Sequence, residues 1–441
     1  MIKTLVNAFK NKDIRKKLLY TLMMLVVIRI GSLLPIPGVD TEYFSTLLSG
    51  IKDGDFSYLS AFTGGSFEKM SLFALSITPY ITSSIIMQLL TIAIPKLEEM
   101  QKDGEDGRKK IASITRYVTV GLALGESIAM AVGFGRQGLI IGYKNYSTPH
   151  YVACVIVVVA ALTAGSAVLM WIGERITENG VGNGISIVLL INIISGMPND
   201  FVTLYSSFVA NKTIAYGVLA AAIIVAIIVA VVAMVCLLQD AERRIPVQYS
   251  AKVTGRRSVG GQSTNIPLKV NTAGVMPIIF ASSVMQFPVV ITQLFFSSKS
   301  YEWTKYLSST YWCRIDMPKY SLGLLLYIVL VVIFAYFYTS ITFNPVQIAD
   351  NMKKAGGVVP GITPGKSTSE YLNRILNYIV FIGVVGLIIV ALVPILCSGL
   401  FNANVSFGGT SIIIIVGVIL ETMKQVESMM VNRYYKGFLS E

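Results

Sequence analysis

The stretch IAYGVLAAAIIVAIIVAVVAMVCLL at 214–238 carries no charged residue. At a rise of about 1.5 Å per residue, a helix of this length crosses the roughly 30 Å of hydrocarbon in a bilayer. Outward from it the pattern repeats. Apolar runs bounded by charges or Gly/Pro clusters predict spans near 18–35, 70–94, 117–135, 151–172 and 183–197 before it, and near 271–296, 320–341, 372–397 and 408–423 after it. Composition agrees: 54% of the 441 residues are hydrophobic and 14% are charged, against roughly 25% charged in a soluble domain. Mean hydropathy is positive. The fold class read from these features is an all-α membrane protein of ten transmembrane helices.

The net charge of +12 would suit a nucleic-acid binder if the cations formed a stripe with interleaved aromatics on a soluble face. Here they lie between apolar runs, and on one side. That side holds Lys3 to Lys17, Lys96 to Arg116, Arg175, Arg243 to Lys269, Lys353 to Arg374, and Lys424 to Lys436. The opposite loops hold Lys52, Lys69, Arg136, Lys144, Lys212, Lys299, Lys305, Arg314 and Lys319. The positive-inside rule makes the rich side cytoplasmic, with both termini, which requires an even number of spans. Met1 to Lys17 lacks the apolar stretch and cleavage site of a secretory signal and reads as a cytoplasmic tail.

Ten spans divided at 198–213 give halves 1–197 and 198–441. Five crossings each place the halves in opposite orientations and permit an inverted repeat. Such repeats put the functional path between the halves, lined by interrupted helices. Pro79 in span two, Pro277 and Pro288 in span seven, and Gly180, Gly182 and Gly184 before span five are candidate interruptions, although both residue types are common in membrane helices.

Chemistry on the chain itself is poorly supplied. Cys154, Cys236 and Cys397 lie in apolar runs, Cys313 lies outside them, and no C-x-x-C spacing occurs, so neither a disulfide framework nor a zinc site is indicated. His150 is the single histidine. GVVPGITPGKST at 357–368 resembles a phosphate loop but has Pro360 where the first Gly is required. No catalytic, cofactor-binding or metal-binding residue is therefore predicted. Arg29 and Glu421 lie near span ends and read as snorkelling to the interface. Glu126 is deeper and sustains the alternative of an ion-coupled secondary transporter. The loop containing RRIPVQYSAKVTGRR at 243–257 is long and basic, and reads equally as a topogenic or lipid-attracting segment and as a docking surface.

Six segments in order resemble the SecY/Sec61-alpha family of bacterial and related translocase channels over nearly the whole chain. They are RIGSLLPIPGVD at 29–40, FTGGSFEKMSLFALSITPYITSSIIMQLL at 62–90, GERITENGVGNGISI at 173–187, QSTNIPLKVNTAGVMPIIFASS at 262–283, FNPVQIADNMKKAGGVVPGITPG at 343–365 and FGGTSIIIIVGVILETMKQVES at 407–428. The resemblance implies two inverted five-helix halves around an hourglass pore. It implies a protein-conducting channel in the bacterial cytoplasmic membrane that passes unfolded secretory chains across and apolar segments sideways into lipid. Carried over position by position, the waist ring is Ile77 and Ile81 on span two, Ile185 and Leu189 on span five, Ile279 on span seven and Ile414 on span ten. Spacing alone would read these as packing or lipid-facing aliphatics. The plug falls at about 61–70, where Gly64 and Gly65 break regularity before Ser66 and Phe67, although a surface turn reads similarly.

The lateral gate lies between spans two and seven, with Gln88 and Asn271 as candidate hydrogen-bonding residues at the seam. Implied partners are SecE-like and SecG-like small membrane subunits, a SecA-type motor ATPase, the ribosome, signal peptides and membrane lipids, with no cofactor. Docking is assigned to cytoplasmic loops at about 239–270 and 342–370, through Arg256, Arg257, Lys353 and Lys354. Where the family commonly has Arg in the V-P-G-I-R-P-G turn this chain has Thr363: either Lys366 substitutes for the missing cation, or motor docking differs here.

Overall fold

The structure, a computed structural model, describes residues 9–50, 63–141, 148–210, 214–249, 253–254, 257–258, 263–296, 301–314, 317–401 and 409–437. Each of the ten predicted spans contains a helix. In the N-terminal half these are α1 (Lys12–Leu33), α3 (Thr78–Ala93), α5 (Glu105–Phe134), α6 (Thr148–Asn179) and α7 (Gly184–Leu204), with short helices α2 (Thr41–Gly50) and α4 (Pro95–Lys102) between them. In the C-terminal half they are α8 (Ile214–Asp240), α9 (Met276–Phe296), α11 (Leu322–Thr342), α13 (Lys366–Phe401) and α14 (Gly409–Gly437), with α10 (Glu302–Leu307) and α12 (Pro345–Lys354) as short connectors. Among the described residues, 6 helices are long enough and of high enough hydropathy to cross a membrane, or 7 if α3 and α4, bent by 105° at Pro95, count together. The charges of Lys12 to Lys17 lower α1, and those of the last turns lower α14. In α9 the apolar segment Met276–Val289 is shorter.

Span two begins later than the hydropathy run at 70–94 indicates. Residues 70–77 form turns, with Met70 and Ser76 at φ 42° and 53°, a left-handed backbone that side-chain-bearing residues seldom adopt. Pro79 and Pro277 start α3 and α9 and do not interrupt them, because a missing N–H costs nothing in the first turn. Pro288 does lie inside α9.

Helices pack mainly within halves. In the first, α5 lies between α3 and α6, while α6 packs on α1 and α7; in the second, α9 packs on α11, and α8 packs on α13 and α14. The halves meet where α7 touches α14 and where α5 touches α9. Small residues allow the closest approaches. A Cβ on Gly165 of α6 would strike the carbonyl of Leu72, and one on Gly184 would strike that of Gly173. Gly165→Ala is therefore expected to destabilise the protein by about 1–3 kcal/mol, as overpacking does. Thermal unfolding in detergent checks this, with Gly121→Ala, which opens on empty space, as the unchanged control.

Outside the bundle, the two basic loops fold into one unit. Strand β1 (Glu242–Tyr249) pairs antiparallel with β4 (Ser263–Lys269), from Glu242↔Lys269 to Gln248↔Ser263, and also with β5 (Gly357–Val358) through Gln248↔Val358 and Tyr249↔Gly357. Between β1 and β4 in the chain, β2 (Val253–Thr254) pairs antiparallel with β3 (Arg257–Ser258). Alternate β1 residues Ile245 and Val247 are buried with Leu268, Met352, Val359, Leu372, Ile375 and Ile379. This core fixes the sheet on α12 and the start of α13. Asn344 caps α12, its Oδ1 accepting from Val346 N–H at 3.1 Å and Gln347 N–H at 3.2 Å, as an N-cap side chain does.

Candidate functional site: an aliphatic waist between the halves

The six ring candidates come from four helices or their caps. Ile77 is the N-cap residue of α3, and Ile81 follows one turn later. Ile185 and Leu189 stand one turn apart at the start of α7, which Asn183 caps by accepting from Ile185 N–H at 3.1 Å. Residues i and i+4 share a helix face, so each pair presents two side chains in one direction. Ile279 lies in the first turn of α9 and Ile414 near the start of α14.

The structure brings all six into one hydrophobic cluster. Ile77, Ile81, Leu189, Ile279 and Ile414 are buried in it and Ile185 packs half-buried against it. The sequence reading did not include Ile85, Val188, Ile193, Phe280 and Val418, which share this cluster. Their signal is visible afterwards as the face continuing through Ile77, Ile81 and Ile85 on α3. Phe280 is further enclosed by Phe334 and Tyr338 in edge-on contacts at 5.9 and 6.1 Å. Water confined among such walls loses hydrogen bonds it cannot replace, and the cluster joins apolar side chains from both halves.

Beside the cluster lies the candidate plug, described from Thr63 onward; 61 and 62 fall outside the described residues. Gly64 to Met70 forms turns rather than a regular helix, with Gly64 and Gly65 at φ 62° and 78°. Ser66 and Phe67 are buried. Phe67 stacks edge-on with Phe44 of α2 at 5.7 Å, and Phe44 with Phe134 of α5 at 5.2 Å. The segment is thus seated in the N-terminal half. Arg29 does not snorkel outward: its Nη1 donates to Ser195 Oγ of α7 at 2.9 Å. The hydrogen bond inside the protein replaces water that the apolar surroundings do not provide.

Gln88 and Asn271 are not joined in this structure. Gln88 Nε2 donates to Ser84 Oγ at 3.5 Å, and its side chain lines a cavity of about 310 Å³ with Met87, Thr91, Arg108 and Thr115. Asn271 lies against Gly383 of α13. Among the described residues, Gln88 Oε1 and Asn271 Nδ2 are each buried without a hydrogen-bond partner. An acceptor and a donor thus stand unused on the two segments expected to face each other.

On the basic-loop unit, Lys353 and Lys354 are exposed in the last turn of α12, where cations suit the helix dipole. The Lys353 chain approaches Gly365, and Lys366 is exposed beside it. The Thr363 turn is held by Thr368 Oγ1, which donates to the Thr363 carbonyl at 2.9 Å. Lys353, Lys354 and Lys366 therefore share a surface with that turn. Arg256 lies outside the described residues, and Arg257 is described as backbone of β3.

Comparison with known proteins places these features in a family. The SecY family model matches residues 71–423. Protein translocase subunit SecY of Streptomyces scabiei is 42% identical over 447 residues, covering 100% of both chains. Its counterpart in Bacillus subtilis is 41% identical over 448 residues, again covering 100% of both. Among solved structures, one of a protein conducting channel superposes with a TM-score of 0.61 at 18% identity, covering 95% of this chain and 93% of that one. Sec61 in the canine ribosome-channel complex from the endoplasmic reticulum superposes with a TM-score of 0.59 at 17% identity, covering 95% and 93%. The structural likenesses establish a shared fold, and the sequence match over nearly all of the waist, gate and loop segments carries the assignment further: this chain belongs to the SecY family.

Proposed function

We propose that this chain is the protein-conducting channel of a translocase, passing unfolded secretory chains across the membrane and releasing apolar segments sideways into lipid. The observation that carries the proposal is the meeting of six aliphatic residues, five of them buried, from both halves, 1–197 and 198–441. An aliphatic constriction seals against ions when empty and grips no particular side chain when occupied, which suits a conduit for varied sequences. A secondary transporter would need polar ligands for a small substrate between the halves, whereas the side chains that meet in this cluster are apolar.

The halves are inverted five-helix units, and the basic loops and both termini lie in the cytoplasm of a bacterium, as the distribution of Lys and Arg supports. Small membrane subunits of the SecE and SecG kind brace the channel, and a SecA-type motor or a ribosome docks on the loop unit. Energy comes from such partners. Reconstitution with copurified subunits and motor tests the proposal. ATP-dependent protection of an unfolded secretory chain from external protease is expected; saturable uptake of a small solute without such protection would support the transporter.

Docking through charge gives a further expected result. The β1–β5 pairing supports a single binding face built from both loops. Neutralising Arg256, Arg257, Lys353 and Lys354 together is expected to weaken motor or ribosome binding by about tenfold or more, since exposed ion pairs contribute roughly 0.2–1 kcal/mol each. Lys366→Ala is expected to show a loss of the same kind, because Lys366 adjoins Lys353 and stands in for the cation absent at Thr363. Binding titrations at two salt concentrations check both, and unchanged affinity in both variants would remove these loops as the docking site.

A further inference from the structure

The two ends of the plug segment are fastened differently. At its rear, backbone bonds tie it to the end of span one: Ile36 N–H donates to Met70 O at 3.2 Å, and Leu72 N–H donates to Leu34 O at 2.9 Å. The strand-like bridge Pro35↔Ser71 lies between them. At its front, Gly64 is met by the side chain of Ser195 on α7, whose Oγ lies 3.3 Å from the Gly64 carbonyl. The same Oγ lies 2.7 Å from the carbonyl of Asn192, one turn back on its own helix. Its lone pair meanwhile accepts from Arg29 Nη1 at 2.9 Å.

A hydroxyl has one proton to donate. Ser195 must share it between the plug and its own helix, and the helix carbonyl is the nearer acceptor. Release of Gly64 consequently leaves no orphaned donor, because the proton remains with Asn192 O. The cost of stranding a buried polar group, which normally resists such a separation, is reduced to the Gly64 carbonyl alone. That carbonyl gains water when the plug leaves.

Gly64 is suited to this contact. Its φ of 62° lies in the left-handed region, and a Cβ there would strike Ser195 Oγ and come within 2.7 Å of Asn192 O. Asn192 adds a second tether farther along, its Nδ2 donating to Ser76 Oγ at 3.0 Å. One turn of α7 thus holds both the front of the plug and the segment behind it.

We propose that Ser195 is the latch of the plug, held in position by Arg29, and that it sets where Gly64 sits while the rear of the segment stays on its backbone anchor at 70–72. The inference rests on the channel reading above. Ser195 and Arg29 are positioning residues: they act by setting where Gly64 sits.

The test is the resting ion conductance of the purified channel complex in planar bilayers. Ser195→Ala is expected to raise it by roughly twofold to fivefold, the weight of one shared hydrogen bond. Arg29→Leu is expected to raise it in the same range. Gly64→Ala is expected to exceed both, because its Cβ expels the plug from the Ser195 contact. Ser195→Thr keeps the hydroxyl and is expected to restore the seal. Wild-type conductance in Ser195→Ala would overturn the latch while leaving the channel reading intact, provided the Ile81→Ser/Ile279→Ser double variant leaks. A leak in Ser195→Thr equal to that in Ser195→Ala would also overturn it, by showing that packing rather than the hydroxyl sets the seal. If the waist variant does not leak either, the channel reading fails and the latch fails with it.

Discussion

Replacing Ile81 and Ile279 together with Ser is expected to turn a sealed waist into an ion leak, with resting conductance in planar bilayers rising by about tenfold or more. These residues sit on α3 and α9, in opposite halves, and both are buried in the central cluster. Burying a full aliphatic side chain contributes about 1.5–3 kcal/mol relative to leaving it in water. Two such replacements remove roughly 3–6 kcal/mol of bias towards a dry constriction. Half of that, appearing in the barrier to hydration, already exceeds the 1.4 kcal/mol that corresponds to tenfold. Serine also supplies hydroxyls that water can bond. Unchanged conductance would remove both residues from the ring.

The second large effect is expected at the seam between α3 and α9. Bridging a cysteine on α3 to one on α9 with a bifunctional reagent is expected to abolish export nearly completely, with recovery when the bridge is cleaved. The native cysteines, Cys154, Cys236, Cys313 and Cys397, are all free and have to be replaced first. The reason lies in the polar groups flanking the seam. Gln88 Oε1 and Asn271 Nδ2 are both buried without partners, a cost of roughly 1–3 kcal/mol for each. A movement that gave each of them a partner would relieve that cost, and a hydrogen bond between membrane helices contributes on the order of 1 kcal/mol. Normal export with complete bridging would place the exit elsewhere.

Much of this architecture was legible in the residues, and the exceptions have physical causes. The ten helices were visible because unbroken apolar runs such as 214–238 have no alternative environment. The start of span two was not, because residues 70–77 are as apolar as a helix while their backbone turns through left-handed positions at Met70 and Ser76. Hydropathy does not register φ. The sheet of the basic loops was missed because RRIPVQY contains Pro246, which argues against a strand. Pro246 sits where β1 has a paired neighbour on one side, β4, and β5 joins only at Gln248 and Tyr249.

The candidate waist residues were proposed through family resemblance and not through spacing, since aliphatics four apart are common on membrane helices. The Arg29–Ser195–Gly64 contact joins residues far apart in the chain. Nothing in the local sequence of any one of them announces the other two, so its appearance depended on the fold.

The most direct measurement places a photoactivatable side chain at Ile81, Ile279 or Ile414 in turn and stalls an unfolded secretory chain partway through export. If the cluster is the conduit, light is expected to attach the stalled chain at all three positions, with attachment lost once the chain is allowed to finish crossing. Attachment confined to lipid or to the protein's own helices, with the secretory chain demonstrably stalled in the membrane, would contradict the account.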